Sequence, residues 1–147
     1  MRGSWQQKLD RLIDDHFAQI VSLRRHLHQN PELSGDERGT SLHLYQRLGD
    51  MGFEVRVGPE GRGVLADWQL PEEPPAARTV ALRADIDALR IHDAKQVEYH
   101  SRRDGIMHAC GHDGHTALVF GTLVALRDLS QSGSAPWPLS IRGIFQP

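Results

Sequence analysis

The chain is 147 residues long, with 39% hydrophobic residues, 24% charged residues and a formal net charge of −2 when the histidines are neutral. This composition suits one globular domain, and the near balance of charge argues against nucleic acid as a partner. The sequence has no apolar run of the roughly 18 residues that a transmembrane helix needs, so we expect no membrane partner. Its single cysteine excludes an internal disulfide and favours a reducing, cytoplasmic location.

Two helices are predicted at the start of the chain. Apolar residues recur at helical spacing over residues 5–30, and Pro31 then interrupts the hydrogen-bond ladder of a helix. Ser34 is followed three residues later by Glu37, which is the form of a capping box. This motif predicts that a second helix starts there and continues to about Met51.

Strands are predicted in the middle of the chain. Apolar and charged residues alternate over 53–57, and residues 63–70 form a second strand candidate. A proline-rich loop at 71–75 follows. A third strand covers 79–84 and ends at the segment 85–87.

The last part of the chain predicts a strand–helix–strand unit. Residues 88–107 have weak periodicity and are predicted to form a long loop, which in a compact domain is often functional. A helix is predicted to open near 111–114 and to run to about Leu129, and a last strand covers 139–145. The unit from the third strand to the last one predicts parallel pairing and an α/β fold.

The strongest chemical signal is a cluster of metal-binding residue types near the start of that helix. Its members are His108, Cys110, His112 and His115. Cys110 and His112 are two residues apart, so in an extended or turn segment their side chains project to the same side. A thiolate and an imidazole both suit zinc, and imidazole also suits other divalent transition metals. The spacing therefore allows both side chains to reach one metal ion or a closely spaced pair.

Two carboxylates lie at the predicted carboxyl end of the third strand. This is the end of a strand where active-site residues of open α/β sheets gather. Asp85 and Asp87 are separated by one residue and share a face. One of them can accept the second N–H of a ligating histidine or bind a metal directly. They could equally be residues that cap the strand end.

Other interpretations of these residues stay open. The cluster could be a structural zinc site, although such sites usually show four ligands in paired short motifs. Cys110 could instead be a nucleophile activated by His108 or His112, although the fold normally brings such partners together from distant positions. Outside the cluster, His26 and His28 are predicted to lie on an exposed face of the first helix.

Four stretches of the chain resemble, in the same order, a family of metal-dependent amidohydrolases and metallopeptidases. The stretches are 23–34, 82–89, 107–117 and 145–147. The third stretch matches the metal motif of the family almost word for word and reads MHACGHDGHTA. The family includes hippurate hydrolase, bacterial N-acyl-amino-acid amidohydrolases and plant auxin-conjugate hydrolases. Aminoacylases and carboxypeptidase G are more distant relatives.

The resemblance implies a catalytic domain of three αβα layers around a mixed, mainly parallel sheet, interrupted by a smaller lid domain used for dimerisation. It implies that the full-length enzyme is a homo-oligomer and hydrolyses the amide bond of small N-acyl amino acids such as hippurate. It also implies two divalent metal ions per complete site, drawn from Zn, Mn, Co or Ni. Carried over by position, Cys110 and His112 are metal ligands, and Asp85 is the active-site aspartate near the metals.

The sequence departs from the family pattern at two places. Arg90 stands where the family usually has proline, which alters the loop that leaves the strand. In the family, adjacent glutamates that serve as general base and next ligand follow Phe-Gln-Pro, whereas this sequence stops at Pro147. We therefore expect residues 1–147 to be the N-terminal portion of the catalytic domain, without the lid domain and inactive alone. A non-catalytic or degenerate metal-binding module is the alternative.

Overall fold

A computed structural model of the chain describes residues 3–69 and 78–147. Its elements, in chain order, are α1 (Ser4–Gln29), α2 (Arg38–Asp50), β1 (Glu54–Val57), a 3-10 turn (Pro59–Gly61), β2 (Val64–Gln69), β3 (Val80–Asp85), α3 (His112–Gln131) and β4 (Ser140–Gln146). Every helix and strand predicted from the sequence is present within a few residues of its expected bounds. The proline-rich loop predicted at 71–75 lies outside the described residues.

The four strands form one mixed sheet in the order β1-β2-β4-β3. Strand β2 pairs antiparallel with both β1 and β4, and β3 pairs parallel with β4. Helix α3 connects the two parallel strands, which confirms the predicted strand–helix–strand unit and the α/β class. The sheet is mixed, as predicted. Among the described strands, however, its parallel part is the β3–β4 pairing alone, because β1 and β2 join as an antiparallel hairpin.

The hydrophobic core lies on one face of the sheet. Side chains of β2 and β4 alternate between the two faces, and the paired residues Val64 and Phe145, like Trp68 and Ile141, point into the core. Buried residues from all three helices complete the same cluster: Leu23, Leu27, Leu44, Leu48, Phe120, Leu123 and Val124. The opposite face carries charged residues of the strands, such as Asp67, which accepts hydrogen bonds from two arginines. Two of the three predicted layers therefore lie within the described residues.

The start of α2 differs from the capping box predicted at 34–37, and that prediction is wrong. The helix begins at Arg38, and the carboxylate of Glu37 accepts a hydrogen bond from the backbone N–H of Gly35 at 3.0 Å. The first turn of α2 is capped instead by Glu32, whose carboxylate accepts the N–H groups of Gly39 at 3.2 Å and Thr40 at 2.7 Å. A buried carboxylate from the preceding loop thus satisfies donors that have no partner within the helix.

No helix among residues 3–69 and 78–147 combines the length and the apolar character needed to cross a membrane.

Candidate metal site

The candidate site lies where β3 ends and α3 begins. The hydroxyl of Thr116, in the first turns of α3, donates to the main-chain carbonyl of Asp85 at 3.2 Å. The backbone N–H of Ile86 donates to the carbonyl of Gln146 at 2.9 Å, which ties the same strand end to β4. The residues predicted from the sequence are therefore gathered at the carboxyl end of the parallel strand pair, where open α/β sheets place their active sites.

A tight turn separates the two candidate ligands. Gly111 precedes α3 with φ +82°, a left-handed conformation that glycine adopts at little cost and other residues adopt rarely. Cys110, on one side of this turn, is an exposed free thiol. His112, on the other side, is the first residue of α3 and is largely buried, with 17% of its side chain exposed. The turn thus presents a sulfur and an imidazole at the amino end of a helix.

Asp87 holds the ring of His112. The Nδ1 atom of His112 lies 2.8 Å from Oδ1 of Asp87 and 3.1 Å from the carbonyl oxygen of the same residue. Both oxygens can only accept a hydrogen bond, so Nδ1 must carry the proton. In the neutral ring the lone pair is then on Nε2, which is the form in which histidine binds a metal. The two predicted carboxylates therefore differ in their contacts, because the carboxylate of Asp87 binds and orients His112.

Asp85 lies at the same edge but makes a different contact. Its carboxylate accepts a hydrogen bond from the guanidinium of Arg83 at 2.6 Å, and 38% of its side chain is exposed. The contact to α3 is made by its main chain and not by its carboxylate. Asp85 is thus placed at the site by the strand end, without a side-chain contact to Cys110 or His112 among the described residues.

The other two histidines of the cluster have contrasting environments. His108 is buried with 5% exposure, and neither of its ring nitrogens has a hydrogen-bond partner within the described part of the chain. Burial lowers the pKa of its imidazole to about 4, against the opposing effect of the Asp113 carboxylate. His115 is exposed, with its ring centroid 5.9 Å from that of His112. Sequence spacing did not distinguish these two environments.

The donor types at the turn fit a divalent metal, but the set is incomplete. A thiolate and an imidazole with a free Nε2 suit zinc and related ions. A catalytic zinc site typically needs three protein ligands. Within residues 3–69 and 78–147, no group of three or more His, Cys, Asp or Glu side chains is arranged to hold a metal ion. The described residues therefore supply two candidate ligands, Cys110 and His112.

One residue near the site was assigned wrongly from the sequence. His28 was predicted on an exposed helix face, yet it is 1% exposed and its Nδ1 donates to the buried carboxylate of Asp113 at 2.7 Å. His26, from the same prediction, is exposed. The only signal that could have indicated this is the i, i+4 spacing of Arg24 and His28 beside the apolar stripe of α1, because both contact Asp113.

Comparison with known proteins points in one direction. The model of peptidase family M20/M25/M40 matches residues 81–147, which include β3 except its first residue, the cysteine–histidine turn and α3. An N-acyl-L-amino acid amidohydrolase from Geobacillus stearothermophilus is 41% identical over 117 residues, which are 80% of this chain and 31% of that protein. An N-acetyl-L-cysteine deacetylase from Bacillus subtilis is 43% identical over 129 residues, which are 88% of this chain and 29% of that protein.

The fold gives the same result. A dinuclear metal binding peptidase of the M20 family from Bacillus subtilis matches with a TM-score of 0.77 and 36% identity, over 91% of this chain and 36% of that chain. The chain thus spans about a third of the length of these relatives. The sequence resemblance is confirmed by both comparisons, and the matched region contains the candidate ligands. Residues 81–147 thus match peptidase family M20/M25/M40, and most of the chain resembles metal-dependent amidohydrolases and peptidases.

Proposed function

We propose that this chain forms part of an enzyme that uses divalent metals to hydrolyse the amide bond of N-acyl amino acids. The observation that carries the proposal is the pair of open donors at the turn before α3. The sulfur of Cys110 is free and exposed, and the Nε2 atom of His112 is left open because Asp87 binds Nδ1. The substrate class is supported by the names of two relatives, an N-acyl-L-amino acid amidohydrolase and an N-acetyl-L-cysteine deacetylase. Hippurate is a representative of this class.

We assign the metal to Cys110 and His112, as one part of a site for two ions of Zn, Mn, Co or Ni. The match to a dinuclear metal binding peptidase supports the number of ions. When bound, such ions supply a Lewis acid that polarises an amide carbonyl and lowers the pKa of water. Cys110 acts as a ligand in this assignment and not as a nucleophile.

In the proposal, the two carboxylates at the end of β3 have different roles. Asp87 keeps the proton of His112 on Nδ1, so that the ring presents Nε2. Asp85 is the candidate active-site aspartate, and this role rests on its position in the family motif and at the strand edge. Its carboxylate forms an ion pair with Arg83 at 2.6 Å.

The reaction belongs to a longer polypeptide that completes the site. The described residues supply two ligands where a catalytic metal site typically needs three. The matched residues make up only 31% and 29% of the two relatives, which are therefore much longer than this chain. In the proposal, residues 1–147 are the N-terminal portion of the catalytic domain, and the rest of the polypeptide supplies a lid domain and further ligands. The full-length enzyme is a cytoplasmic homo-oligomer. The 147-residue chain alone binds metal weakly and does not hydrolyse substrate.

Cobalt provides the test, because a thiolate ligand gives Co²⁺ a sulfur-to-metal charge-transfer absorption. We expect this band when Co²⁺ is added to the chain, no band in Cys110→Ser, and weaker binding in His112→Gln. Ser101→Ala is a control outside the cluster. Binding that is absent, or that is the same in all variants, would contradict the assignment.

Activity measurements separate the alternatives. Metal-dependent release of amino acid from hippurate by residues 1–147 alone would contradict the proposal that the chain is inactive. In the longer polypeptide, hydrolysis that resists a chelator but needs Cys110 would indicate a cysteine-dependent hydrolase. Metal binding there without hydrolysis of any N-acyl amino acid would indicate a non-catalytic module.

A further inference from the structure

A buried polar network connects α1 to the first turn of α3. Its members, called here the His28 network, are Arg24, His28, Asp93, Lys95 and Asp113. The Oδ2 atom of Asp113 accepts a hydrogen bond from Nδ1 of His28 at 2.7 Å and forms an ion pair with Nε of Arg24 at 3.0 Å. The side chains of His28 and Asp113 are each 1% exposed. Arg24 and His28 are four residues apart on α1, so both reach the same carboxylate from one helix face.

The other side of His28 contacts the long loop between β3 and α3. Its Nε2 atom lies 3.2 Å from Oδ2 of Asp93 and 3.2 Å from Nζ of Lys95. Burial acts to raise the pKa of the Asp93 carboxyl, yet hydrogen bonds from Ser101 and Lys95 hold that pKa well below its usual value. Asp93 is therefore a buried carboxylate ion, and His28 lies between two buried carboxylates that belong to different segments.

Such a network adds little net stability, but it defines the relative positions of the segments that it joins. Removing a carboxylate and an imidazole from water costs free energy, which their mutual contacts only partly recover. Helix α1 is already held by apolar packing, through Leu23 and Leu27 in the core. Hydrogen bonds with fixed distances, in contrast, define one arrangement of the segments that they join.

The network fixes the position of the backbone beside His112, which is a candidate metal ligand. Asp113 directly follows His112 in the first turn of α3. The backbone beside His112 is therefore anchored by His28, while its ring is anchored by Asp87 at 2.8 Å. If the first turn of α3 moves, the distance between Nδ1 of His112 and the carboxylate of Asp87 changes, and their hydrogen bond is weakened.

We propose that His28 is a positioning residue, which holds the first turn of α3 so that His112 keeps its proton on Nδ1 and presents Nε2. Through Asp93, the same residue couples the 88–107 loop to this turn. The proposal rests on the proposed function for its consequence in metal binding, but its structural content concerns the metal-free chain.

The test uses two substitutions that divide the contacts of His28. In His28→Asn the side-chain N–H group can stand where Nδ1 stood and donate to Asp113. In His28→Gln the N–H group extends to the position of Nε2 and leaves Asp113 without that donor. His16→Gln is the matched control, because His16 also joins α1 to an α3 carboxylate, that of Asp128, at 2.7 Å but at the far end of the helix pair.

The first measurement is the tautomer of His112 in the metal-free chain, read from the ¹⁵N shifts of its ring and assigned with His112→Gln. We expect the Nδ1–H form in the parent chain, in His28→Asn and in His16→Gln. We expect a mixture with the Nε2–H form in His28→Gln. An unchanged tautomer in folded His28→Gln overturns the proposal. If that variant does not fold, Arg24→Gln replaces it, since Arg24 is 34% exposed and makes the other contact to Oδ2 of Asp113, an ion pair at 3.0 Å.

The second measurement is the affinity for Co²⁺. We expect a loss of about tenfold in His28→Gln, the lower end of the range for residues that orient metal ligands, and less than about threefold in His28→Asn and His16→Gln. Equal affinity in His28→Gln and the parent chain would overturn the proposed coupling to metal binding. If the parent chain binds no Co²⁺, the proposed function fails, whereas the tautomer measurement still decides the role of His28.

Discussion

The hydrogen bond between Asp87 and His112 decides which ring nitrogen is open to a metal. Without an acceptor at Nδ1, a neutral imidazole exchanges between two tautomers, and part of the population carries its proton on the nitrogen that must bind the ion. The carboxylate and the carbonyl of Asp87 both accept from Nδ1, which removes that ambiguity. Asp87 also restricts the rotation of the ring.

Asp87→Ala is therefore expected to weaken the binding of Co²⁺ by about 10- to 100-fold, the range found for residues that orient metal ligands. Isothermal titration of the chain with Co²⁺ measures the effect. Asp104→Ala is the matched control, because Asp104 is an aspartate whose side chain is 97% exposed and which pairs with a histidine of the same loop at 3.2 Å. A similar loss of affinity in both variants would show that the effect is one of general charge.

How far single residues could be predicted depended on whether their partners were local. Cys110 and His112 could be proposed as ligands from the sequence because the chemistry of their motif lies in consecutive residues. The i, i+2 pattern placed Asp85 and Asp87 at the strand end but could not say which carboxylate faces His112, since this contact spans 25 residues. His28 was misassigned for the same reason, because the carboxylate that makes its burial favourable is 85 residues away.

At the contact between α1 and α2, two histidine rings stack at a centroid distance of 3.9 Å. His26 belongs to α1 and His43 to α2. Burial, then His26 and then Arg47 lower the pKa of the His43 imidazole to about 4. Burial, then Arg47 and then Arg102 lower the pKa of His26. The charged groups that lower these two pKa values are arginines and, for His43, the ring of His26, which is positive when protonated. Each of them disfavours protonation of the histidine that it faces.

This contact should make the chain sensitive to acid. A histidine with a folded pKa of about 4 and an unfolded value of 6.5 binds fewer protons when folded, so stability is complete above pH 6.5 and falls as the pH drops toward 4. Urea unfolding between pH 7 and 4.5 measures this slope. In His43→Gln we expect the loss to shrink by about 1 kcal/mol, a figure discounted for the partial exposure of the ring.

The control for this prediction is His92→Gln, because His92 has 72% of its side chain exposed. Its substitution should leave the slope of stability against pH unchanged. A slope in His43→Gln that equals the slope of the parent chain would contradict the assignment of acid sensitivity to the α1–α2 contact.

The helices and strands themselves were predictable because their periodicity is a local property. The bounds were less so, and α2 shows why. A serine and a glutamate in capping-box order indicated its start, but the donors of its first turn are bound by Glu32, which precedes the expected cap. A side chain that arrives from a loop can replace a local cap, and nothing in the spacing of residues 34–37 signals this.

In the molecule as a whole, α1 packs along α3, and the first turn of α3 carries His112. His16 pairs with Asp128 and His28 pairs with Asp113, so the two helices run in opposite directions. Between these two polar contacts the helices approach closely at Gly121. A Cβ atom on Gly121 would lie 2.4 Å from Cδ1 and 2.8 Å from Cγ1 of Ile20. The close approach therefore depends on a residue without a side chain.

Gly121→Ala is expected to destabilise the fold, although alanine is the better helix former. Isoleucine in a helix has one strongly preferred χ1 rotamer, so Ile20 cannot easily turn away. Separating the helices should cost about 1–3 kcal/mol, against a gain of up to about 1 kcal/mol in helix propensity. Gly114→Ala is the control in the same helix, because its Cβ would meet nothing within 4 Å, and it should stabilise the chain. Urea unfolding of both variants decides the point, and equal stabilisation would show that α1 is free to shift on α3 and cannot hold the turn at His112 rigidly.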